Sequence, residues 1–546
     1  MNLEGIRQND YNLNIVRYID STDEEEQIDV EEYNAWTGLD PLGRQTKMTA
    51  QPHTQESTEW ANEPNLQEAT LAHLQAQMEC GETTSAEVVQ GYLLRIATDN
   101  HAGNEINAVL EVNPDALQVA ESLDAERNLH GPRGPLHGIP ILLKDNIDTG
   151  DKLHTSAGSL ALADSRASAD AFLVEKLRHA GAIILGKANM TEWANFMTEG
   201  MPNGYSSRGG QVKNPYGPGK LDVGGSSSGS AAAVAANLTA LAVGTETSGS
   251  ILSPASSNSV VGIKPTLGLI SRNGIIPIAH SQDTAGPLAR TVRDALVLLA
   301  SMAGVDERDA VTRPSATLQP WLWLDELRED ALQGKRIGVP REPFYSNLSQ
   351  AELRVMNEAI RVLRDLGAQV VDPLPYPDLS VIENHTVLLY EFKPDLNAYL
   401  ARLQVGVPVH SLQDVIAFNR QHSSQCLCYG QTLLSSANLT SGTLTEADYL
   451  QALAKDRYFA RKIGIDQVLA RHRLDALLFP SNRGAAIPAK AGYPSITVPG
   501  GRAGVDGIPV GITFTGTAWS EPILAGMAYA FEQATQHRVA PSKPQQ

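Results

Sequence analysis

Short apolar runs, most of them beside a glycine, alternate along this chain with stretches of helical spacing. This alternation limits the architectures open to it more than any other feature. The runs are Gly138–Lys144, Gly181–Gly186, Ile337–Val339, Ala368–Val371, Ala476–Phe479 and Ile508–Phe514. Helical spacing recurs through Leu71, Leu74 and Met78, through Ala86, Val89, Tyr92 and Leu93, and across Ala169–Ala180 and Leu353–Leu366. Strands that are apolar on both faces need cover on both faces. Such strands alternating with helices predict an α/β fold, a large sheet with helices on each side. No repeat or long linker interrupts residues 66–540, so residues 66–546 are expected to form a single domain.

Composition agrees with a packed interior, at 42% hydrophobic and 19% charged residues. The net charge of −19 disfavours nucleic-acid and anionic-membrane partners. That charge is unevenly placed. The first 60 residues carry 4 basic and 13 acidic side chains, among them the run Asp23–Glu26. Residues 1–65 are polar and aperiodic and are expected to be a disordered tail. Within them, Asn9–Glu32 resembles, over a short span, a stretch of type I restriction-modification methyltransferase subunits. A methyl-donor site would need a further domain, so the segment reads as an appendage.

Three cysteines, Cys80, Cys426 and Cys428, are too few to staple a chain of 546 residues and have too few partners for a zinc site, so no metal is expected. No basic start followed by an apolar run marks export, and no stretch approaches the roughly 20 apolar residues of a membrane span. A cytoplasmic protein without membrane attachment is expected.

The most unusual segment is the Gly/Ser loop Gly224–Ser230, running into the alanine-rich stretch Ala231–Leu241. A helix entered from such a loop turns free N–H groups and its positive dipole end toward the loop. Gly225–Gly229 fits the G-x-S-x-G spacing of a nucleophile elbow, but Asn214–Lys220 before it cannot be the buried strand an elbow requires. Gly181–Lys187 fits the spacing of a phosphate loop, yet Ala188 supplies no hydroxyl for magnesium.

A second loop, Gly244–Ser250, can stack backbone N–H groups around one serine, the requirement of an oxyanion hole. A serine nucleophile also needs a base, either a histidine backed by a carboxylate or a lysine held neutral by burial. His280, His385 and His422 sit in no recognisable triad. Lys144 ends an apolar strand just ahead of Asp145, Asn146 and Asp148, although a lysine so placed is usually at the surface.

Leu142–Thr149 (LLKDNIDT), Gly224–Ala236 (GGSSSGSAAAVAA) and Gly244–Ala255 (GTETSGSILSPA) together resemble the amidase signature family and, within it, the bacterial peptide amidases. The resemblance runs from about residue 66 to about 535. It includes Thr155–Leu162, Gly186–Phe196, Val260–Thr291, Leu388–Lys393, Ala417–Ser423 and Gly516–Pro522.

It implies the amidase signature fold, a large mixed β-sheet between helices, and a Ser-cisSer-Lys triad of Lys144, Ser226 and Ser250, with the Gly225–Ser226 peptide cis. In the implied chemistry, neutral Lys144 takes a proton through Ser226, Ser250 attacks the amide carbonyl, and the backbone amides of Thr247, Ser248, Gly249 and Ser250 hold the oxyanion. No cofactor is required. Ser228 and Glu246 depart from the common family pattern but occur in the peptide-amidase branch, while Ser248 brings a side chain into the oxyanion turn.

The expected reaction is hydrolysis of a carboxamide C–N bond in a small-molecule or peptide amide, through an acyl-enzyme. Peptide C-terminal amides and amino-acid amides are the expected substrates. The alternatives are a carbamate, anilide or ester hydrolase on the same triad, and an amidotransferase subunit. Ser227, Asn195, Tyr390, Phe392, Phe418 and Asn419 are the expected substrate contacts, with a core role for Phe392 and Phe418 left open. A monomer or homodimer is expected.

Overall fold

The structure, a computed structural model, describes residues 64–542. The tail assigned to residues 1–65, including Asn9–Glu32, lies outside the described residues except for Pro64 and Asn65.

The strands are β1 (Val109–Val112), β2 (Pro140–Lys144), β3 (Ile183–Ala188), the small hairpin β4 (Tyr205–Ser206) and β5 (Gly210–Gln211), β6 (Leu241–Glu246), β7 (Val261–Lys264), β8 (Thr284–Ala289), β9 (Arg336–Gly338), β10 (Gln369–Val371), β11 (Ala476–Pro480), β12 (Ser495–Ala503) and β13 (Ile508–Thr515). All but the hairpin join one sheet of 11 strands in the order β1-β3-β2-β6-β8-β7-β12-β13-β11-β9-β10. The pairs β3/β2/β6 and β11/β9/β10 are parallel, and the remaining neighbours are antiparallel. Every residue of β2, β3, β6 and β8 is buried, which requires helices on both faces of the sheet. The α/β class and the mixed sheet expected from the sequence are what the chain forms.

Local chemistry sets the helix starts. Ser349 opens the helix Gln350–Asp365 with a reciprocal capping box: its hydroxyl accepts from the Glu352 N–H at 3.2 Å, and its own N–H donates to the Glu352 carboxylate at 2.7 Å. Met356, Ala359, Ile360 and Leu363 form the buried face of that helix. Thr84 and Glu87 cap Ser85–Asp99 in the same way.

The alanine-rich stretch departs from expectation. Its helix spans Ser228–Ala235 and not the whole of Ala231–Leu241. Asn237 takes a left-handed φ of 58°, where its side-chain oxygen accepts the Glu68 N–H at 2.8 Å. The chain thereby reverses into β6, which places Leu241 in a central strand. A second apolar cluster, apart from the main core, gathers Phe196, Phe392, Leu396, Tyr399 and Tyr449 around the helix Thr386–Leu400.

Candidate active site

Parallel strands β2 and β6 are adjacent, in the register Leu143 to Val243, so their C-terminal ends deliver Lys144 and Thr245 to the same edge of the sheet. The loop before the helix Ser228–Ala235 folds over that edge. Gly244 permits the approach, because a Cβ there would meet the Ser227 Oγ at 2.7 Å. The Gly225–Ser226 peptide is cis. The two loops are tied together by the Ser227 N–H, which donates to the Ser250 carbonyl at 3.1 Å.

Lys144 is wholly buried. Its Nζ donates to the Ser226 Oγ at 2.8 Å, the Ser227 Oγ at 3.0 Å and the Thr245 carbonyl at 3.1 Å. All three acceptors are uncharged. Burial therefore lowers its pKa to about 7, against an upward pull from Glu246 and Asp283.

Lys187 and Lys264 are buried just as fully. The charges of Asp145 and Asp148 oppose the downward effect of burial on Lys187, and those of Glu246 and Glu521 do the same for Lys264, which stands at about 8. Of the three, only Lys144 donates to two serine hydroxyls.

The second loop is organised by Glu246. Its buried carboxylate accepts from the Gly249 N–H at 2.7 Å, the Ile251 N–H at 2.7 Å and the Leu252 N–H at 3.1 Å. Burial raises its pKa, with Lys264 and these amides pulling it back. The Gly249 amide, grouped with the oxyanion donors from sequence, thus donates to Glu246, whose buried carboxylate needs such donors. The amides of Thr247, Ser248 and Ser250 donate to no protein acceptor among the described residues. Ser248 is exposed, whereas Thr247 and Ser250 are buried.

A cavity of about 440 Å³ adjoins this loop and shares Thr245, Glu246 and Thr247 with it. Its wall includes Ile276, Asp283, Tyr399 and Arg402, none of which was singled out from sequence. Asp283 lies in the Val260–Thr291 match, so the signal was present without a role attached. Burial lifts the Asp283 carboxyl to about 6.

The expected substrate contacts are dispersed. Ser227 is buried and its hydroxyl serves Lys144 and Thr245, not an open pocket. Asn195 is exposed at a left-handed φ of 73°, next to Ala194 of the cavity wall. Phe392 is a core residue with no exposed surface, its ring 4.9 Å from that of Phe196, which corrects its assignment as a substrate contact. Asn419 is also fully buried, donating to Gln431 at 3.0 Å. Phe418 stacks on His422 at 4.2 Å, and Tyr390 lies 5.8 Å from Tyr449. None of these six side chains lines the cavity: Phe392, Phe418 and Tyr390 pack in the second apolar cluster, Asn195 is exposed, and Ser227 and Asn419 are buried against other partners.

Among the described residues no helix is long and apolar enough to cross a membrane. The model of the Amidase family matches residues 87–490. A probable amidase of Arabidopsis thaliana is 44% identical over 490 residues, covering 87% of this chain and 92% of that protein. The native peptide amidase of Stenotrophomonas maltophilia superposes with a TM-score of 0.83 at 46% identity, covering 88% of this chain and all of that one. A glutamyl-tRNA(Gln) amidotransferase subunit of Paraburkholderia phytofirmans is 34% identical over 512 residues, covering 87% of this chain and 100% of its own length. With a buried lysine joined to a serine pair and a family match across most of its length, this chain belongs to the amidase family and is an amidohydrolase acting on amide C–N bonds.

Proposed function

We propose that the chain hydrolyses C-terminal amides of peptides and amino acids through an acyl-enzyme on Ser250. The observation that carries this reading is the 2.8 Å hydrogen bond between the buried Lys144 Nζ and the Ser226 Oγ. A lysine held near pKa 7 is neutral for a large part of the time at physiological pH and can act as a base. In the proposed sequence Ser250 passes its proton to Ser226 as Ser226 passes its own to Lys144, and the freed Ser250 oxygen attacks the amide carbon. The oxyanion faces the amides of Thr247, Ser248 and Ser250. The proton returns along the same relay to the leaving ammonia or amine, and water then cleaves the acyl ester. Similarity to a peptide amidase over the whole of that protein supports the choice of substrate.

Similarity to the amidotransferase protein supports a second reading, in which the released ammonia passes to a partner. One experiment separates these readings from each other and from carbamate, anilide or ester hydrolysis. The purified chain alone is incubated with peptide amides, aryl amides, esters and carbamates, and products are identified by mass spectrometry for wild type, Lys144→Ala and Ser250→Ala. Ammonia and free acid from peptide amides, lost by about 10³-fold or more in both variants, is the expected result. Equal turnover by all three proteins overturns the mechanism.

A further inference from the structure

The turn that carries the free amides is gripped from one side by two consecutive residues. Antiparallel strands β6 and β8 end on the pair Glu246 and Thr284, so the next residue of β6's chain, Thr247, faces Asp283. The Thr247 hydroxyl donates to the Asp283 Oδ1 at 2.5 Å, and the Gln282 Nε2 donates to the Thr247 carbonyl at 3.1 Å. Side chain and carbonyl of Thr247 are thereby both fixed, and its N–H is left over. Asp283 is itself anchored, its Oδ2 accepting from the Ile278 N–H at 2.8 Å and the Ala279 N–H at 2.9 Å.

That loop is tied in turn to the helix Thr386–Leu400. The His280 N–H donates to the Asp395 Oδ2 at 2.9 Å, and the imidazole faces Asp395 with Nδ1 and Glu391 with Nε2, the latter at 3.5 Å. Three donors converge on Asp283 from two segments of chain. This makes it the node through which the cavity wall holds the turn.

We propose that Asp283 is a positioning residue, holding the Thr247 and Ser248 amides toward the reacting carbonyl by way of the Thr247 hydroxyl. The proposal rests on the reading of this turn as the oxyanion site. An oxyanion donor acts only where it is aligned before charge develops, and Thr247 lies one residue past the β6 ladder, where no strand pairing holds it. The effect belongs to the transition state, so it falls on kcat and spares KM.

The test measures kcat and KM on one hydrolysed amide for Asp283→Ala, Asp283→Asn, Thr247→Val, Thr247→Ser and the double variant Asp283→Ala with Thr247→Val, with thermal unfolding of each. Asp283→Ala and Thr247→Val are each expected to lower kcat by about 10- to 100-fold with KM little changed. The double variant is expected to be no worse than the poorer single one, since both remove the same contact. Thr247→Ser keeps the hydroxyl and retains activity. Asp283→Asn retains most of it, its oxygen toward the two amides and its NH2 donating to the Thr247 hydroxyl. Additive losses in the double variant, or a wild-type kcat in Asp283→Ala or, should that variant not fold, in Thr247→Val, overturn the proposal. Ser250→Ala in the same assay separates the two ideas. Activity surviving there removes the reading of the nucleophile, whereas an inactive Ser250→Ala beside an unaffected Asp283→Ala removes only the role given to Asp283.

Discussion

The Lys144 Nζ lies 2.8 Å from the Oγ of Ser226, a residue 82 positions later in the chain, and its other two acceptors are also uncharged oxygens. A buried ammonium there has no carboxylate to neutralise it directly. The neutral amine is correspondingly favoured, as a general base near neutral pH requires.

The pH profile of wild type should report this group. Its pKa in the fold is about 7 against an ordinary 10.5. Below about 7 the neutral fraction falls tenfold per pH unit, so log kcat/KM should rise with unit slope up to about pH 7 and then level. Lys144→Arg keeps a charged guanidinium at every accessible pH and should not restore the limb. Stopped assays from pH 5 to 9 check both.

Ser227→Ala should move that limb. The Ser227 hydroxyl accepts from Lys144 at 3.0 Å and donates to the Thr245 carbonyl at 3.1 Å. Removing an acceptor from a buried ammonium destabilises the charged form, so the acid limb should shift below pH 7. The looser lysine should lower kcat by about tenfold. An unshifted limb would show that this hydrogen bond does not influence the base.

Glu246→Gln should weaken the nucleophile loop. The carboxylate accepts Gly249 on one oxygen and Ile251 and Leu252 on the other. An amide has only one accepting oxygen, so at least one buried N–H is left unpaired, at about 1–3 kcal/mol. Urea unfolding should show that loss, and kcat should fall with it.

Gly229→Ala tests the seating of the helix that directly follows Ser226 and Ser227. A Cβ at Gly229 would stand 2.3 Å from the carbonyl oxygens of both Ala108 and Asn189, and backbone on two sides cannot yield as a side chain does. A loss of about 1–3 kcal/mol or more is expected in denaturant titration. Gly406→Ala, with nothing within 4 Å of the added methyl, is the matched control and should stay near wild type.

Several elements were legible because their apolar runs are unbroken. β2, β3 and β11 lie in or beside the runs Gly138–Lys144, Gly181–Gly186 and Ala476–Phe479. By contrast β8 and β12 are interrupted by glycine, threonine or proline in Thr284–Ala289 and Ser495–Ala503, and carry no continuous apolar signature. Their burial comes from neighbours on both sides in the sheet, which no local pattern records.

The chain's own residues determined that it would fold as an α/β protein, and the segments around Lys144, Ser226 and Ser250 pointed to the amidase family. The reason is that strand runs, helix caps and the small residues of two Gly/Ser loops are local constraints that act wherever the chain goes. Only the tertiary structure decided which of the three wholly buried lysines meets serine hydroxyls, that Phe392 belongs to a core, that the Gly249 amide serves Glu246, and that Asp283 faces Thr247. These depend on strand register and on charges brought close from distant parts of the chain. Electrostatic environment is therefore a property of the assembled sheet and not of any segment within it.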